Sequence, residues 1–595
     1  MAATRNDQIV MQALDLLNAG REAEAETLLD GVLKRQPTNG GAAKLKAMIL
    51  GGREDDAGAL IYLQRSVIGE PRDGATRYML GNVLLNLKRY RDAAAAYREA
   101  LRLSPGDVAA CDGLGKCLIS LGQYHEAERV FRAAIAAHPD SPNAYGNMGG
   151  VLVAIAKMRE AVEVAREGLR RMPNEPALLE MAAFTMNFPE GVDPIELREM
   201  HRRMGASYAA KSKRPEPVFT NDPDPERTLR VGFLSGDYSH HACALFMKAP
   251  LLNFDRSRLV PVCLSTVRHT DGGDEPFRAC CEWCELEGLT EDAIARAILA
   301  RQLDIVVDCS GLTQGHRLAA LVPRVAPVQC TWLGYPNTTG VPTMDYRIVD
   351  WLTDPEGTDT HVTEKLLRLP GCFLCYTPAE GLPEPGLTAA TADAASEAPI
   401  TFGCFNRMTK VTPGAVDAWA AILRAVPNSR LLLKLRIASE ELRRDAVDLF
   451  ESRGIDGSRV QMLPFMHHSV DAAGMYRDMD IALDSFPYNG TTTTCEATWM
   501  GVPVVVLEGT AHRSRVGVSL NSAMGLSELI GRSVEEYIAI AVRLASDRAA
   551  LAAFKSSLRG RMAASPLCDG VAYAKTFEQT LRGVWRGWCA ARTGR

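Results

Sequence analysis

The hydrophobic pattern changes character part-way along the chain. In the first third, small residues recur with a fixed period: Ala25, Ala59, Ala93, Ala127 and Ala161 stand 34 residues apart, and so do Pro37, Pro71, Pro105, Pro139 and Pro173. Leu80–Gly81, Leu114–Gly115 and Met148–Gly149 keep the same spacing, as do Tyr90 and Tyr124, each leading into an acidic–alanine pair. Such a period, with small residues where helices cross and proline closing each unit, predicts helix pairs stacked side by side. From Leu229 short apolar runs take over: LRVGFLSGD, RLVPVCLST, LDIVVDCSG and APVQCTWLGYP, with helical stretches such as Thr290–Arg301 between them. A second series begins at Ile400: ITFGCFN, SRLLLKL, RVQMLPF, DIALDSF and VPVVVL. Buried strands alternating with helices predict parallel sheets, here two of them.

The repeat period is that of tetratricopeptide repeats, so residues 1–185 read as an array of about five. Residues 186–227 read as a capping helix and a linker rich in Pro and charge (KRPEPVFTNDPDPE). Residues 228–385 form a first Rossmann-like lobe, 386–399 a connector, and 400–595 a second lobe with a C-terminal helix. The expected fold is an α-helical tetratricopeptide superhelix followed by an α/β pair of facing lobes, the GT-B architecture. No GxGxxG follows the first strand of either lobe and no GxxxxGK[ST] is present, which argues against a dinucleotide oxidoreductase or a P-loop NTPase. The absence of a DxD at a strand end fits an enzyme that uses no metal.

Composition narrows the class further. The 595 residues are 47% apolar and 23% charged with net charge −5, ordinary for a globular chain and without the basic surface a general nucleic-acid binder needs. MAATRNDQIV lacks a signal pattern and no apolar run reaches membrane-spanning length, so a soluble cytoplasmic protein with neither nucleic-acid nor membrane partner is expected. The 15 cysteines are scattered; Cys280, Cys281 and Cys284 make one CCxxC without a second pair at zinc spacing, and read as buried thiols.

Polar clusters follow the strands, where open α/β sheets bind ligands. Asp480–Leu507, DIALDSFPYNGTTTTCEATWMGVPVVVL, predicts strand, turn, a helix from about Thr492 to Met500, and strand. Thr491, Thr492 and Thr493 at that helix start suit a phosphate, and Glu496 one turn in could reach a ribose hydroxyl; a plain crossover with a Thr-capped helix is the alternative. His240–His241 follow the first strand, and one of them could act as a base or bind phosphate. Asp308 ends a strand and could fix a hydroxyl or cap a turn. Gly334–Gly340 is a Gly- and Thr-rich loop that could approach a ligand or form a tight turn. Asn406 and Lys410 follow ITFGCF, and Lys410 is the cation suited to a diphosphate leaving group. Ser514 and Arg515 add hydroxyl and charge.

These motifs carry a resemblance. VQCTWLGYPNTTGVPTMDYRIVD, LRLPGCFLCYTP, ITFGCFNRMTKVTP, MDIALDSFPYNGTTTTCEATWMGVP and RVGVSL resemble the catalytic region of the O-linked N-acetylglucosamine transferase family, closest to its SPINDLY branch, whose plant members are protein O-fucosyltransferases. The resemblance implies an active-site role for His241, diphosphate contact by Lys410, a phosphate loop at Thr491–Thr493, and Glu496 where the N-acetylglucosamine enzymes have a ribose-binding Asp. Asp308 falls where the plant branch has a Glu. It also implies inversion at the anomeric carbon without a metal or other cofactor. Three departures lie where donor is read: Thr491 replaces a His, Arg407 replaces a Gln or Asn, and LPFMHHSVDAAGMY does not match the base-contacting stretch. The expected function is a protein O-glycosyltransferase. Its donor is GDP-fucose, UDP-N-acetylglucosamine or another activated sugar. Its repeats present a protein acceptor, flagellin among the candidates, and are also a candidate homodimer surface. A nucleotide-sensing scaffold and a small-molecule glycosyltransferase are the rival readings.

Overall fold

The computed structural model describes residues 5–393, 396–435, 439–464, 466 and 473–593. The chain divides into two compact units, Met1–Ile155 with Glu163–Pro173, and Ala156–Val162 with Asn174–Arg595.

The first unit is built from antiparallel helix pairs such as Gly40–Gly52 with Asp56–Gly69, Gly74–Asn86 with Tyr90–Leu103, and Val108–Ser120 with Tyr124–Ala137. Asn39, Asp73 and Asp107 start the first helix of each pair by accepting backbone N–H groups two or three residues on, which satisfies donors that a helix start leaves open. The periodic Ala25, Ala59, Ala93 and Ala127 are fully buried. At the Leu–Gly positions the reason for glycine is steric. A Cβ on Gly81 would stand 2.6 Å from the Tyr97 ring, and one on Gly115 would stand 2.0 Å from the ring of Phe131, the residue one period after Tyr97. The repeat spacing is therefore a spacing of helix-crossing contacts.

The second unit holds two wholly parallel sheets. In the first, β1 (Leu229–Ser235), β2 (Leu259–Ser265), β3 (Glu282–Glu285), β4 (Ile305–Asp308), β5 (Val328–Thr331), β6 (Tyr346–Asp350) and β7 (Lys365–Leu369) lie in the order β3-β2-β1-β4-β5-β6-β7. In the second, β8 (Ile400–Cys404), β9 (Ser429–Leu435), β10 (Val460–Pro464), β11 (Ile481–Leu483), β12 (Val504–Leu507) and β13 (Ile530–Gly531) lie in the order β10-β9-β8-β11-β12-β13. Strand order reverses between β1 and β4 in one sheet and between β8 and β11 in the other. Loops leaving the carboxyl ends of those strands diverge and open a crevice there. The apolar runs read from the sequence are β1, β2, β4, β5 and β8–β12. The edge strands β3 and β7, EWCE and KLLRL, are partly exposed and interrupted by charge, so no apolar run marks them.

Two long-range returns were not visible in the pattern. The C-terminal helix Gly570–Thr593, expected with the second lobe, packs into the core of the first: Phe577 lies 4.9 Å from Trp332, and Trp585 donates its indole N–H to the Asp224 carbonyl at 3.0 Å. Helices Pro176–Thr185 and Pro194–Lys211 pack on the first lobe as well. The lobes are joined by buried polar contacts, including Ser519 Oγ donating to Asp350 Oδ2 at 2.6 Å and His512 paired with Asp354. Burial alone would raise Asp354, but His512 and Arg347 beside it hold its carboxyl at about 2. Among the described residues no helix is long and apolar enough to cross a membrane.

Candidate active site

At the second switch point, β8 runs into Phe405–Asn406 and β11 into Asp484–Gly490, so the two loops leave the sheet side by side. Asn406 ties them together. Its Nδ2 donates to Asp484 Oδ1 at 2.8 Å and to Ser485 Oγ at 3.1 Å, while its Oδ1 accepts from Thr493 Oγ1 at 2.8 Å. Asp484 Oδ1 also accepts the backbone N–H of Ser485 at 2.9 Å and of Gly490 at 2.7 Å. Its Oδ2 is buried with no hydrogen-bond partner among the described residues. Lys410 Nζ donates to the Asn489 carbonyl at 2.7 Å and sits 4.0 Å from the centre of the Tyr488 ring, a cation–π contact. Burial pulls the Lys410 ammonium below its ordinary value, with the Asp484 carboxylate opposing; burial pushes the Asp484 carboxyl up, with the Gly490 N–H and Lys410 opposing. One positive and one negative group are thus held close in a poorly solvated place.

The helix Thr492–Trp499 starts at this network. Thr491 has non-helical dihedrals, and no side chain caps the helix among the described residues, so the first-turn N–H groups and their positive dipole end remain available to an anion. This differs from the Thr-capped alternative. Gly490 is required by crowding: a Cβ there would meet Thr493 Oγ1 at 2.5 Å and Asp484 Oδ1 at 3.0 Å. Glu496 lies on the same helix near Lys434 and Tyr476, and the Tyr476 hydroxyl donates to the Thr493 carbonyl at 3.2 Å. The Phe405 and Tyr476 rings stand 4.8 Å apart and form an aromatic wall. Burial raises the Glu496 carboxyl to about 7 against the pull of Lys434 and Tyr476. Of LPFMHHSVDAAGMY, residues 465 and 467–472 lie outside the described residues.

At the first switch point the loop after β1 folds back on itself. Tyr238 is fully buried, donates its hydroxyl to the Phe233 carbonyl at 2.6 Å, and packs edge-on against Phe277 and Trp283. With Tyr238 anchored inward, Asp237 and His241 meet outside: His241 Nδ1 is 3.4 Å from Asp237 Oδ1 and accepts the Cys243 N–H at 3.3 Å. These contacts favour opposite neutral tautomers, Nδ1–H for Asp237 and Nε2–H for Cys243. His241 keeps 43% of its side chain exposed. The charge of Arg407, from the second lobe, is felt at Cys243 as well as at Lys410 and Tyr488, so the His241 loop and the Lys410 loop face one crevice.

Asp308 is 1% exposed at the end of β4, and both its oxygens are used: Oδ1 accepts from Ser310 N–H at 3.3 Å, Oδ2 from Gly311 N–H and Thr331 Oγ1 at 2.9 Å each. Burial pushes its carboxyl up to about 6, with those donors opposing. It clamps the loop that follows β4. The Arg515 guanidinium is occupied by Glu508 at 2.7 Å and by the carbonyls of Leu352 and Gly509. The Gly334–Gly340 loop approaches a helix rather than open space. Tyr335 hydroxyl meets Asn187 at 2.6 Å and His201 at 2.8 Å, and a Cβ on Gly340, which has φ +68°, would stand 2.0 Å from the His201 carbonyl oxygen. Asp484, Ser485 and Tyr488 are not among the residues that the sequence singles out. The signal for Asp484 was present, an acid just past a buried strand, the criterion that selected Asp308.

The sequence model of glycosyl transferase family 41 matches residues 209–384 and 377–577, more than half of the chain. The chain belongs to glycosyl transferase family 41. Tetratricopeptide repeat models match residues 62–108, 78–142 and 118–183. Among family 41 relatives, the probable UDP-N-acetylglucosamine–peptide N-acetylglucosaminyltransferase SPINDLY of Arabidopsis thaliana is 41% identical over 409 residues, covering 67% of this chain and 44% of that protein. The probable transferase SEC of the same plant is 27% identical over 419 residues, covering 67% and 42%. The chain thus spans less than half the length of these curated relatives. The solved structure of a mutant O-GlcNAc transferase from Thermobaculum terrenum aligns with TM-score 0.77 and 31% identity, covering 87% of this chain and 98% of that one. That match confirms the two-lobed architecture that family 41 shares.

Proposed function

We propose that the protein is an O-glycosyltransferase that moves a sugar from a nucleoside-diphosphate donor to a Ser or Thr hydroxyl of a protein acceptor, with inversion and without a metal ion. The observation that carries this reading is the Asn406–Asp484–Thr493 bridge, which fixes Lys410 and an uncapped helix start at one switch point. In the reaction the acceptor oxygen bonds to the anomeric carbon as the bond from that carbon to the diphosphate oxygen breaks. Lys410 and the first-turn N–H groups take the negative charge that develops on the diphosphate, so the chain itself supplies the stabilisation a divalent ion gives in other transferases. The acceptor proton passes to His241 Nε2 when Asp237 holds Nδ1–H. Excess chelator is expected to leave transfer unchanged.

The repeats recruit the acceptor in this reading, supported by the tetratricopeptide matches. For the donor, the relatives' names supply UDP-N-acetylglucosamine, whereas the higher identity to SPINDLY than to SEC, and Thr491 where the N-acetylglucosamine enzymes have His, support GDP-fucose. Co-expression with candidate acceptors, flagellin included, followed by intact-protein and peptide mass spectrometry tests the reading, because the added mass names the sugar and the fragment names the hydroxyl. An added deoxyhexose lost in Lys410→Ala is expected. Tight nucleotide binding with no transfer to any acceptor would favour a nucleotide-sensing scaffold.

A further inference from the structure

One side-chain cluster of the first lobe offers chemistry beyond the reaction above. The loop that carries His241 also carries Asp237 and Cys243, and one ligand atom from each lies within 4.8 Å of the other two. The trio combines a carboxylate, an imidazole and a thiol, and it mixes hard and soft donors in the way borderline metals prefer. The dimensions are close to those of a filled site. Zinc bonds of about 2.0–2.3 Å in a tetrahedron put neighbouring ligand atoms roughly 3.3–3.8 Å apart, and the Asp237 Oδ1 to His241 Nδ1 edge is 3.4 Å. The remaining edges close with a shift of about 1 Å, which the partly exposed Asp237 and His241 side chains can make. The site is held from behind: Asp237 N–H donates to Ser235 Oγ at 3.0 Å, Tyr238 pins the loop to the core, and Cys243 begins the helix Ala244–Asn253. Burial and the neighbouring Asp237 carboxylate hold the Cys243 thiol well above its ordinary value, so a cation binds there by displacing the thiol proton. Three protein ligands leave a fourth position open towards the crevice, the pattern of sites that stay accessible to solvent or ligand.

We infer that Asp237, His241 and Cys243 form a binding site for a zinc-class divalent cation, and that filling it switches transfer off by taking His241 out of play. Binding occupies the Nδ1 lone pair of His241, releases the thiol proton of Cys243 to solvent, and places a cation where the acceptor hydroxyl must approach. The site itself does not depend on the proposed activity; the inhibitory consequence rests on the role given above to His241.

Cobalt(II) added to the full chain reads the site without any assay of transfer, through the thiolate-to-metal charge-transfer absorption. One equivalent of that band is expected above any contribution from the other cysteines. Cys243→Ala and Asp237→Asn are each expected to remove it, with the affinity for zinc, measured by competition with a chromophoric chelator, falling at least 10-fold. Zinc at low micromolar concentration is expected to inhibit transfer by the wild-type chain, chelator to restore it, and Cys243→Ala, which keeps His241 and Asp237, to remain active in zinc. An unchanged band and zinc affinity in Cys243→Ala overturns the site, and Cys243→Ser provides a second variant should the alanine form fold poorly. A band that needs Cys243, together with transfer that zinc does not touch, keeps the site and overturns both the switch and the role of His241 at the reacting hydroxyl.

Discussion

Asp308 and Asp484 stand at matching places in two similar sheets. Each is almost fully buried at the end of the strand that lies across the switch point from the first strand of its lobe. Around Asp308 both oxygens have donors, two from the backbone that follows β4 and one from Thr331 at the end of β5. Around Asp484 one oxygen is fully used and the other is buried without a hydrogen-bond partner among the described residues, while the charge of Lys410, which burial disfavours, acts on the same carboxylate. The first arrangement is a finished clamp. The second is unfinished; on the proposed function, a diphosphate on Lys410 supplies the neutralisation that water would have given that ammonium. On the proposed function, the difference separates a residue that shapes a loop from one that positions the group stabilising a leaving charge.

Substitutions at the two switch points should therefore behave unlike one another. The largest effect is expected from Lys410→Ala: transfer should fall about 10²–10³-fold, the range for removing a charge-stabilising donor in a closed site, with thermal unfolding unchanged. His241→Ala should cost roughly 10²-fold, the lower end for general acid–base groups, because the imidazole is exposed and loosely held. Asp484→Asn tests the coupling through pH. Transfer needs charged Lys410, and burial already brings the loss of its proton below the ordinary lysine range, so activity should decline on the alkaline side. Removing the Asp484 charge takes away the influence that raises Lys410, so the midpoint of that decline should move to lower pH in the rate–pH profile. A midpoint unmoved in Asp484→Asn would mean that the two groups are not coupled. The smallest effect on rate is expected from Asp308→Asn: stability should drop about 1–3 kcal/mol, as one of its donors loses an acceptor, while the pH profile keeps its shape.

The sequence was most legible where one residue answers to one local constraint. The 34-residue period could be read because Gly81 and Gly115 each face an aromatic ring that no side chain could approach. That Lys410 and the Thr491–Thr493 run lie at one switch point could be read because both follow strands with a strong apolar signature. Legibility failed where the partner is far away in the chain. Arg515 resembles a free cation until Glu508 and the Leu352 carbonyl are seen beside it. The Gly334–Gly340 loop resembles a ligand loop until helix Pro194–Lys211 is seen packed against Gly340. The C-terminal helix carries no mark of the lobe to which it returns, since an apolar face is satisfied by any complementary core. Asp484 was hidden differently: its chemistry depends on an oxygen left without a partner, and that is a property of packing.

On the proposed function, the second switch point grips the diphosphate of the leaving group through Lys410. Calorimetric titration of the wild-type chain and of Lys410→Ala with a nucleoside diphosphate and the matching monophosphate, in the GDP/GMP and UDP/UMP series, tests it most directly. In the series that binds, Lys410→Ala is expected to weaken the diphosphate about 10-fold or more, the value of a charged hydrogen bond, and to leave the monophosphate nearly unchanged. Equal diphosphate affinity in the two proteins would contradict it.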